Sequence, residues 1–315
     1  MNSGKGQRRT DKIYEFDRVF DEHSTQAQIF TEMEGLITSV LDGFSACVFA
    51  YGQTGSGKTF TMEGESSPEL EGVIPRTLNS LCSAMKERPD IQYQTTIRML
   101  EIYNEKIFDL LSRSSLVEAR LDQNGHVLFP SAVSMEVSTV DEMRKVLSQG
   151  NDARRVAATS SNEHSSRSHM LFILTVSALN ASTNQKSEGR LVLVDLAGSE
   201  RVSKTESTGQ RLVEGQYINK SLSSLGDVIH ALNNKHKHIP FRNSTLTFIL
   251  QDVLTEGNKV LMIAQLSPAS NSSSESLQTL EFANRVNKVV LGKGIENKTH
   301  AMIGKLNTTV RDLNL

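Results

Sequence analysis

Apolar residues in the first part of the chain recur at spacings that predict helices alternating with buried strands. The segment Gln26–Leu41 places its apolar side chains on one helical stripe and follows Ser24-Thr25, a capping signal for a helix start. Ala46–Tyr51 is a short apolar run typical of a buried strand. We predict a helix over Pro75–Lys86, because proline suits the first turn of a helix.

The rest of the chain continues this alternation. Asp11–Phe20 alternates apolar and polar residues, which predicts a short strand or an extended lead-in. Strands that alternate with helices predict an α/β fold with a mixed, mostly parallel central sheet and helices on both faces. The other predicted elements are a strand-rich region (Gln92–Leu111), a helix (Thr139–Gln149), two strands (Met170–Leu179 and Arg190–Leu196), two helices (Tyr217–Asn233 and Asn243–Leu254), a strand (Lys259–Leu266) and a helix (Ser274–Val289).

Length and composition fit a single folded domain. The chain has 315 residues, of which 37% are hydrophobic and 22% charged, an ordinary balance for a globular protein. Such a length suits one large α/β domain with long surface insertions. We predict a domain at residues 11–292 between polar tails at residues 1–10 and 293–315, and the sequence contains no internal repeat.

Charge and cysteine content narrow the function classes. The net charge of −2 gives no global basic field, so neither nucleic acid nor any other acidic partner is indicated without a local basic patch. Cys47 and Cys82 are too few for a disulfide framework and fit a reducing cytosol. The longest apolar runs are strand-length, and no signal peptide is visible. We therefore expect a soluble cytosolic protein without a membrane partner.

A phosphate-binding loop follows the predicted strand Ala46–Tyr51 and matches the pattern G-x-x-x-x-G-K-[ST] in full. Its glycines let backbone N–H groups approach phosphate oxygens, Lys58 can reach the β- and γ-phosphates, and the Thr59 hydroxyl can bind Mg²⁺. The alternative is a chance match in a glycine-rich turn, which the flanking strand and helix disfavour. The residues of this loop are Gly52, Gln53, Thr54, Gly55, Ser56, Gly57, Lys58 and Thr59.

Two further segments suit the same chemistry. The strand that ends at Asp195 supplies a carboxylate of the kind that supports magnesium in P-loop proteins, and Gly198 could offer a backbone N–H to the γ-phosphate. On its own this signal is weak, because many strands end in aspartate. The loop Asn162–His169 is rich in hydroxyls and also carries a guanidinium and two imidazoles. A solvated loop is the alternative, and a zinc site is disfavoured by the spacing and the lack of thiols.

With these three segments the sequence resembles a kinesin motor domain, in which Asn162–His169 corresponds to switch I and Asp195–Glu200 to switch II. The resemblance covers about residues 11–292. Other matching segments, which follow the family's order, are Phe16–Phe20, Tyr217–Gly226 and Pro240–Ser244. The segments most similar to the C-terminal-motor, minus-end-directed kinesins are Gln216–Ala231, Phe282–Val286 and Val289–Gly292.

The resemblance implies a P-loop NTPase-type kinesin motor fold that binds ATP and Mg²⁺. It implies that Ser165 and Ser166 contact the γ-phosphate and that Ser166, with Thr59 and Asp195, holds the magnesium ion. It further implies a salt bridge between Arg167 and Glu200 that closes the two switches around ATP. A water held between the switches would then attack the γ-phosphorus in line, with Glu200 helping to move its proton through a second water.

Two regions depart from the family pattern. Kinesin motors normally open with a central strand and an Arg-x-Arg-Pro segment that packs on the adenine, and Met1–Thr10 contains neither. Several positions of the microtubule face also lack the Lys or Arg that family members often carry, namely Val213, Thr245 and Phe248. The basic residues that remain as predicted microtubule contacts are Lys204, Arg211, Lys220, Lys235, Lys237 and Arg242.

The expected function is microtubule-stimulated hydrolysis of ATP coupled to force or movement along microtubules, in the cytoplasm and on the cytoskeleton. Any dimerisation is expected to occur through segments that are not in this chain. One alternative is a module that holds microtubules but hydrolyses ATP poorly; the missing first strand favours it, and the intact loop and switch residues oppose it. Another is a P-loop NTPase without a cytoskeletal role, such as a GTPase. The sequence lacks an N-K-x-D segment that would read guanine, since Leu222 follows Asn219-Lys220-Ser221.

Overall fold

Strands from across the chain form one mixed β-sheet with helices on both faces. A computed structural model describes residues 12–123, 125–159, 164–200, 210–255 and 257–291. The strands are β1 (Ser45–Tyr51), β2 (Ile91–Tyr103), β3 (Lys106–Asp109), β4 (Ser115–Val117), β5 (Arg120–Leu121), β6 (Val127–Leu128), β7 (Met135–Val137), β8 (His169–Asn180), β9 (Lys186–Asp195) and β10 (Lys259–Ala264). The helices are α1 (Gln26–Thr31), α2 (Glu34–Leu41), α3 (Lys58–Met62), α4 (Val73–Lys86), α5 (Val140–Thr159), α6 (Gln210–Asn233), α7 (Thr245–Leu250) and α8 (Ser273–Val286).

The order of the strands is β10-β1-β9-β8-β2-β3-β4, with β7 also paired to β2 and a separate β5–β6 pair. Strand β1 is parallel to β10 and β9, whereas the other neighbouring pairs in the described sheet are antiparallel. The α/β fold and the mixed sheet are confirmed, and the prediction of mostly parallel pairing is wrong. Residues 181–185 join β8 to β9, and so short a link permits a hairpin but not a parallel crossover.

Strand β1 is buried on both faces, as its continuous apolar run predicts. Ala46, Val48 and Ala50 belong to the apolar core under α2, α4 and α5. Cys47 and Phe49 belong to a second core under α6, α7 and α8. The strand is therefore buried between the two helical layers, and the loop that follows it starts from a rigid base.

Several predicted helices have different limits in the structure, and two of these differences have a clear physical reason. The predicted helix Gln26–Leu41 is interrupted at Glu32–Met33, where the Met33 N–H donates to the Phe30 carbonyl in a tighter i→i−3 bond. Helix α5 continues ten residues beyond the predicted end at Gln149. Gly150 lies inside this helix. A side chain at this position would overlap Met99 of β2, so the close packing favours glycine.

The N-terminal lead-in is not a strand over residues 12–20. It lies along α8, where Lys12 pairs with Glu281 at 3.0 Å and Asn287 donates to the Glu15 carbonyl at 3.3 Å. Residues 12–44 contain no strand, and β10 lies at the edge of the described sheet. The predicted tails at residues 1–10 and 293–315 lie outside the described residues, so the domain limits stay a prediction. Across the described residues, every helix is too short or too polar to cross a membrane.

Gly189 in β9 marks a very close approach between the sheet and α2. A Cβ atom placed on Gly189 would overlap the backbone carbonyl of Val40. Gly35, near the start of α2, has no atom within 4 Å of the same hypothetical Cβ. The two glycines thus differ in whether the fold leaves room for a side chain.

We expect Gly189→Ala to lower the free energy of unfolding by about 1–3 kcal/mol, because backbone must shift to accept the methyl group. Gly35→Ala should instead raise it by about 0.4–1 kcal/mol, since alanine restricts the unfolded chain and favours the helix. Urea denaturation followed by circular dichroism measures both. Equal stabilities of the two variants would contradict this account of the α2–β9 contact.

Candidate functional site

The loop Gly52–Thr59 connects β1 to α3 in the order that its sequence predicts. Gly57 adopts a φ of +99° at the N-cap of α3, a conformation that favours glycine. The Gly52 carbonyl accepts the Ser199 N–H at 3.0 Å, so the loop is tied to the segment after β9. The strand, the left-handed glycine and the short helix together fix the path of the loop.

Lys58 is buried at the base of this loop with 7% of its surface exposed. Its ammonium group donates to the carbonyl oxygens of Gly52 at 2.9 Å and Gln53 at 2.8 Å. Burial lowers the pKa of Lys58, and the carboxylates of Asp195 and Glu200 oppose that shift. A cation held in a partly dry loop is suited to binding phosphate oxygens.

Thr59 and Asp195 meet beside the loop, as the sequence predicts. The Thr59 hydroxyl donates to one carboxylate oxygen of Asp195 at 2.8 Å. The other oxygen of Asp195 is buried without a hydrogen-bond partner among the described residues. A hydroxyl beside an open carboxylate oxygen fits Mg²⁺, which takes few protein ligands and prefers oxygen. The described residues contain no cluster of three or more His, Cys, Asp or Glu side chains arranged to bind a metal.

Behind Asp195 lies Arg154 of α5, which the sequence analysis missed. Its guanidinium contacts carboxylate oxygens of Glu63 at 3.0 Å, Asp195 at 3.2 Å and Glu101 at 3.6 Å. It also donates to the Ser165 carbonyl at 3.4 Å. Burial opposes the charge of Arg154, yet the surrounding carboxylates raise its pKa. One buried cation thus links three carboxylates and the predicted switch I.

A signal for Arg154 does exist in the sequence. It continues the buried stripe of α5 formed by Met143, Leu147 and Gly150, at the spacing of four, three and four residues that one helical face requires. An arginine on an otherwise apolar face predicts a buried ion pair, because an unpaired charge there would be too costly. The buried ion pairs of Arg154 were not predicted, because the helix was expected to end before residue 154.

The segment after β9 contacts both the phosphate loop and switch I. The Gly198 N–H donates to the Ser166 carbonyl at 2.9 Å, and a side chain at Gly198 would overlap Thr54 and Glu200. The Glu200 carboxylate accepts the backbone N–H of Thr54 at 2.8 Å and the Thr54 hydroxyl at 2.5 Å. The predicted residues Ser166, Gly198 and Glu200 therefore lie together, and Ser165 adjoins them in the turn His164–Ser166.

Arg167 and Glu200, which the resemblance pairs when the switches close around ATP, are not paired in this conformation. Arg167 pairs instead with Glu214 of α6 at 2.7 Å, while Glu200 is bound to Thr54. Glu214 is 3% exposed and also accepts the Tyr103 hydroxyl at 2.6 Å. The buried, doubly bonded carboxylate of Glu214 competes successfully for Arg167. Asn162 and Glu163, the first residues of switch I, lie outside the described residues.

His169, the first residue of β8, is buried and bonded through both ring nitrogens. Nδ1 accepts the Ala197 N–H at 3.0 Å, and Nε2 lies 2.7 Å from the Ser221 hydroxyl of α6. Burial lowers the pKa of His169 to about 3, and the charges of Arg154 and Lys58 add to the shift. The ring therefore stays neutral at neutral pH.

The predicted microtubule contacts differ in their surroundings. Arg211, Lys235, Lys237 and Arg242 are exposed, and Lys204 lies outside the described residues. Lys220 differs, because it pairs with Glu105 at 3.3 Å. The same carboxylate accepts the backbone N–H of Thr245 at 3.1 Å. Among the predicted contacts that the structure describes, the exposed residues other than Lys220 thus lie at the start of α6 or beyond its end.

The strand β1, the loop Gly52–Thr59 and the carboxylate at the end of β9 define an α/β protein of the P-loop nucleotide-binding class. The family model described as kinesin motor domain matches residues 2–289. The chain belongs to the kinesin motor domain family.

The relatives of this chain include C-terminal-motor kinesins, as predicted. Kinesin-like protein KIN-14R of Oryza sativa subsp. japonica is 46% identical over 290 residues, which are 90% of this chain and 29% of that protein. Kinesin-like protein KIN-14Q of Arabidopsis thaliana is 47% identical over 289 residues, 89% of this chain and 24% of that protein. The chain thus spans less than a third of either relative.

Solved structures agree with the fold. The structure of a fast kinesin superimposes with a TM-score of 0.84 at 40% identity, over 91% of this chain and 82% of that chain. The C-terminal motor and motor homology domain of Kar3Vik1, fused to a synthetic heterodimeric coiled coil, gives a TM-score of 0.79 at 43% identity, over 87% of this chain and 72% of that chain.

We expect Arg154→Ala to lower the free energy of unfolding by about 3–5 kcal/mol, because it leaves three buried carboxylates without their cation. Arg155→Ala is the matched control. Its guanidinium pairs with Asp152 on the exposed side of the same helix, where such a pair contributes about 0–1 kcal/mol. Urea denaturation measures both, and similar losses for the two variants would contradict the buried-cluster interpretation.

Proposed function

We propose that this chain is the ATP-hydrolysing motor domain of a longer kinesin and that microtubules stimulate its turnover to produce force or movement. The observation that carries the proposal is the contact of Thr59 with Asp195 beside buried Lys58, in a chain of the kinesin family. The work would take place in the cytoplasm on the microtubule cytoskeleton. Dimerisation belongs to segments outside this chain.

The loop residues would bind the triphosphate, with Lys58 on the β- and γ-phosphates. Thr59, Ser166 and Asp195 are the residues that would hold Mg²⁺. When bound, this ion neutralises charge on the phosphate oxygens. Phosphoryl transfer needs positioning and charge stabilisation more than covalent help, and the buried cation Lys58 suits that need.

Closure around ATP would require a change of partners. Glu200 would leave Thr54, whose N–H belongs to the phosphate loop, and Arg167 would leave Glu214 of α6. The two released side chains would then be able to pair with each other over the attacking water. The exchange gives the γ-phosphate a way to affect α6, because Glu214 loses a buried ion pair when Arg167 moves.

The partner surface would be the exposed face of α6 with the loop that follows it. Tubulin is acidic, and the exposed cations on this side are complementary to it. The structure also supports the view that the face is weaker than usual, because Lys220 is paired with Glu105 and Thr245 supplies no charge.

A steady-state ATPase assay with and without microtubules tests the proposal as a whole. Hydrolysis that microtubules accelerate supports a motor. Tight microtubule binding with negligible turnover would favour a module that only holds microtubules. ATP turnover that microtubules do not change would favour a P-loop NTPase without a cytoskeletal role.

We expect Lys58→Ala to reduce ATP turnover by about 10²-fold or more, since it removes a buried cation from the phosphates. Nucleotide binding should weaken as well. Lys86→Ala, which removes an exposed lysine in the last turn of α4, is the control and should hydrolyse ATP normally. Circular dichroism checks that both variants fold, and unchanged turnover in Lys58→Ala would overturn the catalytic role of the loop.

Microtubule co-sedimentation should be measurable at low ionic strength and fade near physiological salt, where the screening length is about 8 Å. Replacing Lys235 and Lys237 with Ala should weaken binding by about 2- to 30-fold, as each exposed pair contributes about 0.2–1 kcal/mol. Lys86→Ala with Lys145→Ala removes the same charge from exposed positions on the opposite side of the sheet. Equal weakening by the two double variants would show a general charge effect rather than a contact surface.

A further inference from the structure

Three polar contacts run in sequence from the switch II segment to the interior of α6. The Ala197 N–H reaches Nδ1 of His169, Nε2 of His169 reaches the Ser221 hydroxyl, and that hydroxyl donates to the Ile218 carbonyl at 2.8 Å. His169 is 3% and Ser221 2% exposed. Both side chains are thus largely buried.

The direction of every bond in the chain is fixed. A backbone N–H can only donate, so Nδ1 of His169 must be unprotonated and the proton must be on Nε2. Nε2–H then donates to the Ser221 hydroxyl, whose own proton goes to the Ile218 carbonyl. The imidazole acts as a rigid spacer with one acceptor and one donor, which few other side chains can reproduce.

The two ends of the chain lie in different parts of the protein. Ala197 is two residues beyond Asp195 and one before Gly198, whose N–H is bonded to switch I. Ser221 is near the middle of α6. Arg211 is on the exposed side of this helix, and the Lys235–Arg242 loop follows the helix. A displacement of the Ala197 peptide would therefore lengthen or break these hydrogen bonds unless α6 moves with it.

We propose that His169 is a positioning residue that couples the nucleotide site to the microtubule-binding face by joining Ala197 to Ser221. This inference rests on the proposed function. Coupling of this kind is an energy shared by two binding events, so nucleotide state must change microtubule affinity through it. Loss of the bridge should leave each site able to bind and weaken the influence of one on the other.

Ser221→Ala tests the bridge, because it removes the acceptor on α6 and leaves His169 bonded to Ala197. Ser224→Ala is the matched control, since Ser224 lies on the same helix, is 4% exposed and has no hydrogen bond to His169. His169→Asn gives an independent test. Its amide oxygen can replace Nδ1 toward Ala197, but its side chain is too short to reach Ser221.

The measured quantity is the ratio of microtubule dissociation constants with ADP and with a non-hydrolysable ATP analogue. We expect Ser221→Ala and His169→Asn each to bring this ratio at least about fivefold closer to one, and the double variant to go no further. Ser224→Ala should keep the wild-type ratio. Melting curves and binding of a fluorescent ATP analogue establish that Ser221→Ala folds and binds nucleotide; should it not fold, His169→Asn carries the same test.

A ratio in Ser221→Ala within twofold of wild type would overturn the inference and leave the proposed function intact. An equal loss in Ser224→Ala would also overturn it, because any buried serine of α6 would then have the same effect. Failure of the wild-type chain itself to bind microtubules or hydrolyse ATP would overturn the proposed function, and the inference with it.

Discussion

The carboxylates of Glu63, Glu101 and Asp195 meet inside the protein, and the guanidinium of Arg154 lies among them. Each carboxylate belongs to a different part of the chain: the end of α3, the end of β2 and the end of β9. Like charges at this depth repel strongly unless a cation compensates them. The position of the loop Gly52–Thr59 relative to Asp195 therefore depends on α5, a helix that contributes no group to that loop.

The mixed sheet explains why these groups meet at one edge. Strands β1 and β9 are parallel neighbours, so the phosphate loop and Asp195 both follow carboxyl ends of strands. Strand β8 is antiparallel to both of its neighbours, which brings its first residue, His169, to that same edge. An all-parallel sheet would place the start of β8 at the opposite edge, far from Asp195. The antiparallel pairs, which the sequence analysis expected to be the minority, are thus a requirement of the site.

Sequence reasoning succeeded where a function depends on neighbours along the chain. The loop Gly52–Thr59 is one continuous motif, and the strand ending at Asp195 is recognisable from its apolar run. It failed where side chains select partners that are distant in sequence. Nothing in the local pattern distinguishes Glu214 from Glu200 as the partner of Arg167, because the choice depends on burial and on the hydroxyl of Tyr103. The length of α5 was missed for a similar reason. A glycine such as Gly150 often marks a helix end, and only the structure shows that it packs against Met99 inside the helix.

The turn between β2 and β3 has a consequence for how the molecule meets an acidic surface. Asn104 and Glu105 both adopt positive φ, and the Glu105 carboxylate is fixed against Thr245 and Lys220. This carboxylate offsets the charge of Lys220 near the middle of α6. Among the predicted contacts that the structure describes, the other exposed cations are Arg211 at the start of the helix and those of the Lys235–Arg242 loop beyond its end. Two separated centres of charge orient an approaching molecule better than one central charge does. The encounter rate, and the angle of first contact, would then be set by the ends of the helix rather than by its centre.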